Sequence, residues 1–151
     1  MAFCSGGPVY FFLFIAVFPL YNGTSAMEAV MHTAQKICQG LGIILILSVG
    51  LIHVFDAPDS FEDAMYKGWL FYTNGAGAVA AAAGILRRKP WGWNLGFLIA
   101  SCSLAGYVIS RTLGLPLIPA EPGAWLEPLG VASLVTEGLF VLLFMMRTRS
   151  L

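Results

Sequence analysis

The chain has 151 residues, of which 58% are hydrophobic and 11% charged, and its eight Lys and Arg balance its eight Asp and Glu. An ordinary soluble domain carries about 25% charged residues, too many to match this composition with its mean hydropathy of +0.81. A soluble cytosolic domain, a strongly basic nucleic-acid binder and a disordered chain are excluded, and an integral membrane protein remains. The three cysteines, Cys4, Cys38 and Cys102, are scattered, with no CxxC and no adjacent histidine, so they make neither a disulfide framework nor a zinc site.

In chain order, the first apolar stretch is Val9 to Tyr21, about 13 residues and short for a span. Thr24-Ser25-Ala26 follows it in the manner of a signal-peptide cleavage site, but no Lys or Arg precedes it. Three readings are open: a short fifth helix with its N-terminus outside, a misassigned start with Met27 or Met31 as initiator, or a signal sequence. Asn22-Gly23-Thr24 has the form of a glycosylation acceptor. The topology below puts it on the cytoplasmic side, which argues against its use. Residues 1–34 are therefore set apart from a four-span domain over 35–151.

Four long uncharged runs follow, at about Ile37 to Phe55, Gly68 to Leu86, Trp91 to Thr112 and Leu129 to Met146. Each has about 18 to 22 residues, enough at 1.5 Å per residue to cross a hydrocarbon core of roughly 30 Å. Within lipid the backbone must satisfy its own hydrogen bonds, so each run is predicted helical. The fold class is all-α, an integral membrane four-helix bundle, with the N-terminal stretch as candidate for an extra helix.

Between the first two runs, Pro58 is expected to end the first helix. Ser60 with Asp63 has the spacing of a capping box for the second. Arg87 to Pro90 is short enough to make the second and third helices antiparallel neighbours. The segment Gly114 to Glu127 contains Pro116, Pro119 and Pro122 and is expected to be extended and semi-rigid. Glu127-Pro128 then opens the fourth helix with proline in its first turn.

Charge divides between the two ends of the runs. One side carries Lys36, Arg87-Arg88-Lys89, Arg147 and Arg149; the other carries Asp56, Asp59, Glu62, Asp63, Glu121 and Glu127, with Lys67 and Arg111 as its only bases. The positive-inside rule makes the basic side cytoplasmic, so the protein is expected in the cell (inner) membrane with both ends of the four-span core in the cytoplasm. Tyr66, Trp69, Trp91, Trp93 and Trp125 fall near run ends, where amphipathic rings prefer to sit.

Small residues mark close helix packing: Gly42 and Gly50 on the first run, Gly77, Ala81 and Gly84 on the second, Gly92, Gly96 and Ala100 on the third. The same glycines are also compatible with a ligand pocket. Cys102 reads as a small packing residue.

Polar residues inside the runs carry the functional interest. Glu137 lies about ten residues into the fourth run, roughly 15 Å deep. A carboxylate there costs at least ~2.5 kcal/mol unless it is neutralised, paired or hydrated. Gly130, Ser133 and Glu137 share one helix face, and Ser103, Tyr107 and Arg111 share another, with Ser110 beside them. Asn74 on the second run and His53 near the end of the first complete the set. All belong to the acidic-side half of the bundle, and the other half is nearly featureless apart from Asn94 at the mouth of the third run.

Two roles fit this cluster. It is either an interhelical network fixing the register of the bundle, each contact worth about 0.6 to 2 kcal/mol, or a vestibule open to the external side. In a vestibule, Glu137 exchanges a proton or holds a cation and Arg111 handles an anionic group. A direct Arg111–Glu137 bridge spans roughly 10 Å of depth, so Tyr107 is the expected intermediary. His53 and Asp56, at i and i+3 with Asp59 and Glu62 following, form a weak candidate metal site. The remaining external acids read as a solvated loop.

No GxSxG, HExxH, P-loop or dinucleotide fingerprint occurs, so no catalytic residue is assigned and no cofactor is predicted. With only His53 in or near a span, a paired-histidine haem site is not expected. Nothing points to nucleic acid.

The strings Gly50-Leu51-Ile52-His53 with Ala57-Pro58, Ser110-Arg111-Thr112 with Gly114-Leu115-Pro116, and Glu127-Pro128-Leu129-Gly130 carry a resemblance. Over about Gln35 to Met146 the chain resembles small prokaryotic membrane proteins with four predicted spans. The resemblance implies the fold and an inner-membrane location and assigns no activity. The first functional expectation is a non-enzymatic accessory or self-associating subunit, partnered by the lipid bilayer and by copies of itself or a larger membrane complex. The second is a proton- or ion-coupled transport or ligand-binding protein using Glu137, Tyr107, Arg111, Asn74, His53 and Ser103. The third is a redox subunit with a quinone pocket at His53 or Tyr107.

Overall fold

The computed structural model describes residues 24–148. It consists of four helices, α1 Thr24–Asp63, α2 Met65–Leu86, α3 Pro90–Thr112 and α4 Pro128–Thr148, with no strand among the described residues. All four are long and apolar enough to cross a membrane. Over the described residues the chain is an all-α integral membrane four-helix bundle. The Val9–Tyr21 stretch, Cys4, Asn22 of the sequon and Arg149 lie outside the described residues.

The helices form a ring in which α1 packs on α2, α2 on α3, α3 on α4 and α4 back on α1, while α1 and α3 barely meet across the diagonal. A nine-residue apolar core fills the basic half. Ile46 and Val49 of α1 meet Ala78, Ala81, Ala82 and Ile85 of α2, closed by Trp93, Ala100 and Phe140. Trp93 and Phe140 stack with centroids 5.8 Å apart.

The small residues expected to let helices approach do so inside the chain. A Cβ on Gly50 would lie 2.6 Å from the Ala78 Cβ, one on Gly84 2.7 Å from the Gly92 Cα, and one on Gly96 2.5 Å from the Phe140 ring. Gln39 adds a link of a different kind: its Nε2 donates to the carbonyls of Ile85 (2.8 Å) and Leu86 (3.0 Å), capping the end of α2 from α1. A helix end left without such partners inside a membrane would carry orphan carbonyls.

Two local expectations are corrected. Pro58 does not end the first helix: α1 has 40 residues and runs through Pro58 to Asp63. An internal proline loses one backbone hydrogen bond and costs about 3 kcal/mol. Tertiary packing offsets this, because Ala57 and Ser60 on either side of Pro58 are fully buried and the Phe61 ring covers Gly68 so closely that a Cβ there would collide with it. The connection to α2 therefore shrinks to Ala64, an extended residue (φ −162°, ψ 136°) with no side-chain cap. Ser60 is consequently inside α1 and is not the N-cap of α2; its buried Oγ has no partner in the described residues.

The α3–α4 segment is folded back, not extended. Leu115 and Ile118 exchange backbone hydrogen bonds of 2.9 and 2.8 Å around Pro116-Leu117. Pro116 presets the first turn position, and Leu117 takes the left-handed second position at φ 69°. Gly114, at φ 82°, receives the chain from the end of α3 where L residues rarely fit. Tyr66 Oη donates to the Pro116 carbonyl at 2.6 Å, fastening the turn to α2. Proline stiffens each residue it occupies, but the prolines here are separated and permit a turn between them.

Candidate functional site in the acidic half of the bundle

Ring packing that closes on the basic half leaves a cavity of about 640 Å³ in the acidic half, lined by all four helices and the α3–α4 loop. Glu137, Tyr107, Arg111, Asn74, His53 and Ser103 all line it, and so does Asp56. Polar positions from four separate runs thus converge on one space.

Glu137 sits deepest in charge terms, 1% exposed. Ser133, one turn before it on α4, donates to its Oε1 at 2.7 Å. His53 Nε2 of α1 stands 3.7 Å from the same oxygen. Oε2 has no hydrogen-bond partner among the described residues.

The tautomer of His53 follows from its other contact. Nδ1 lies 2.9 Å from the Val49 carbonyl, and a carbonyl only accepts, so Nδ1 carries the hydrogen. In a neutral ring Nε2 then presents its lone pair towards Glu137. The edge-on contact with Phe71, centroids 4.8 Å apart, holds the ring in place. His53 and Glu137 can therefore hold one proton between them, as acid and imidazole or as carboxylate and imidazolium. At 3.7 Å they are beyond direct hydrogen-bond range, which lets a third group take part.

Arg111 corrects the expected chain of contacts. It does not reach Glu137 through Tyr107. Its Nη1 pairs with Glu121 at 2.5 Å and its Nη2 with Glu127 at 2.7 Å, while its guanidinium lies 5.0 Å from the Tyr107 ring centroid. The Tyr107 hydroxyl donates to the Trp125 carbonyl at 3.1 Å. The physical reason is the turn at Pro116-Leu117, which folds the loop back over α3 and brings Glu121 and Glu127 to the helix end. These two acids, read from sequence as part of a solvated loop, are half exposed and also line the cavity. Spacing alone carries no signal for them, because the turn decides their position.

Asn74 Nδ2 donates to Ser103 Oγ at 2.7 Å, joining α2 to α3, and its Oδ1 has no partner among the described residues. The weak metal candidates do not converge: among the described residues no group of three or more His, Cys, Asp or Glu is arranged to hold a metal ion. His53 Nε2 is directed at Glu137, so Asp56 lacks the further ligands a site would require.

No family model, curated protein or solved structure matches the chain.

His53, Arg111, Glu127 and Gly130 all border the cavity. Its electrostatic character is acidic. Carboxylates come from four α1 residues between Asp56 and Asp63, from Glu121 and Glu127 of the loop and from Glu137, against Lys67 and Arg111. Lys67 is matched by Asp63 at 2.5 Å and Arg111 by its two glutamates. Asp56, Asp59 and Glu62 have no ion-pair partner among the described residues, and the only such contact of Glu137 is with His53.

Proposed function

We propose that this integral membrane protein binds a small molecule in the acidic-half cavity and couples binding to proton or ion exchange at Glu137. It is a ligand-binding or ion-coupled transport protein and not an enzyme. The positive-inside rule directs the cavity towards the external face of a cell membrane, with both ends of the four-span core in the cytoplasm.

One observation carries the reading: a fully buried carboxylate in a large cavity keeps one oxygen without a partner among the described residues. A purely structural polar network satisfies its members, since each buried unpaired group costs about 1–3 kcal/mol. Here Ser60 Oγ, Asn74 Oδ1, Arg111 Nε and Glu137 Oε2 are all without partners among the described residues, and all four residues border the same space. That concentration supports a site completed by a bound molecule.

The competing roles draw less support. The small residues that favoured a self-associating subunit are engaged inside the chain, at Gly50–Ala78 and Gly84–Gly92. A quinone pocket needs a donor from His53 or Tyr107, and the Tyr107 hydroxyl already donates to Trp125.

Native mass spectrometry of gently solubilised protein tests the choice. A small bound mass that disappears in Glu137→Gln, with assembly intact, is the expected result. Stoichiometric partner proteins with no small-molecule adduct would favour the accessory role, and a co-purifying quinone the redox role.

A further inference from the structure

We infer that the ligand of this cavity is an organic cation of the primary or secondary ammonium class, a reading that rests on the ligand-binding function proposed above. The first argument is charge. After Lys67 and Arg111 are matched by Asp63, Glu121 and Glu127, the cavity still holds Asp56, Asp59 and Glu62, besides Glu137, which faces His53. An anionic guest would enter a field of its own sign, whereas a cation is drawn in and held.

The second argument is hydrogen-bond sense. Asn74 Oδ1 and, in the carboxylate form of Glu137, its Oε2 are acceptors unpartnered among the described residues, and Glu137 is 1% exposed. The group that satisfies them must donate, as an N–H cation does and a quaternary ammonium does not. Arg111 Nε at the outer end is a donor, but the charge of Arg111 is already matched twice, so it suits a neutral oxygen of the ligand and not a second net charge.

The protein also shows how this cavity holds an ammonium. The Nζ of Lys67 borders it, paired with Asp63 at 2.5 Å and 5.7 Å from the Phe71 ring centroid. Lys67 and Asp63 are 22% and 44% exposed, so the pair stands at the cavity's rim, where a carboxylate and an aromatic face together attract a cation. Size separates an organic from an inorganic cation. About 640 Å³ lies in the range of pockets for drug-sized molecules, and no cluster of three metal-ligating side chains is present among the described residues. Leu70, Leu98, Ile99 and Leu129 supply apolar wall for a hydrocarbon portion.

The test is calorimetric titration of the whole protein in zwitterionic-lipid nanodiscs with three probes of one shape: phenethylammonium, 2-phenylethanol and 3-phenylpropionate. Phenethylammonium is expected to bind at least tenfold more tightly than either analogue, and Glu137→Gln to erase its advantage over the alcohol. Should Glu137→Gln fail to assemble, Asp56→Asn, which removes a cavity carboxylate without an ion-pair partner, is expected to weaken the amine and leave the alcohol unchanged. Equal or tighter binding of the alcohol or the carboxylate overturns the cationic class while preserving a ligand-binding cavity. Binding of none of the three overturns this inference together with the function it rests on.

Discussion

His53 of α1 and Glu137 of α4 face each other at 3.7 Å across the helix interface, both nearly buried, with His53 Nδ1 committed to the Val49 carbonyl. The pair is polar, central to the cavity and incompletely hydrogen-bonded, so its two members should be energetically coupled. A double-mutant cycle of His53→Leu and Glu137→Gln, measured by unfolding of the reconstituted protein, is expected to give a coupling energy of about 0.5–3 kcal/mol. Simple additivity would place the two residues in separate roles.

Glu137→Gln keeps the shape of the side chain and its contact with Ser133 while removing a carboxylate that costs at least ~2.5 kcal/mol to insert. The melting temperature of the variant is expected to equal or exceed that of the parent, with ligand binding lost. A variant that melts well below the parent would make Glu137 a structural residue.

Arg111 predicts an asymmetry between partners. Its side chain is 10% exposed, whereas Glu121 and Glu127 are 54% and 50% exposed. Losing either acid leaves the other in place, so Glu121→Gln and Glu127→Gln singly should cost about 1 kcal/mol or less. The double variant leaves a buried guanidinium unpaired and should cost well beyond the sum of the two. Hydrogen exchange across residues 113–127 checks this, since the loop is expected to lose protection only in the double variant.

The glycines offer a contrast. A Cβ at Gly92 meets the backbone of Gly84 and Ile85, whereas at Gly138 it meets nothing within 4 Å. Backbone cannot yield as a side-chain tip can, so Gly92→Ala is expected to cost about 1–3 kcal/mol. Gly138→Ala should be neutral or raise stability by about 0.5–1 kcal/mol through helix propensity. Thermal unfolding in a common detergent compares the two.

What could be read in advance follows the strength of each physical signal. Apolar runs long enough to cross a bilayer are hard to mistake, and a carboxylate, an asparagine or a histidine within such a run stands out against it. That is why the four spans and the residues converging on the cavity were legible. The continuation of α1 past Pro58 was not, because it depends on the burial of Ala57 and Ser60 and on the Phe61 ring packing over Gly68, which no local pattern announces. The partners of Arg111 were hidden for a related reason. They depend on a turn that puts Leu117 at positive φ, a position that glycine or asparagine normally announces. The Gln39 cap on α2 joins residues 46 and 47 positions apart, and no local pattern signals it.

The proposed function requires the cavity around Glu137 to be reached from outside the cell through the acidic end of the bundle. Ser133→Cys places a thiol one turn from Glu137, and Leu139→Cys places one on the outward-facing side of the same helix. With native cysteines removed, intact cells are treated with a membrane-impermeant methanethiosulfonate. Labelling at position 133 but not at 139 is the predicted result. Labelling at 133 only after the membrane is permeabilised would contradict it.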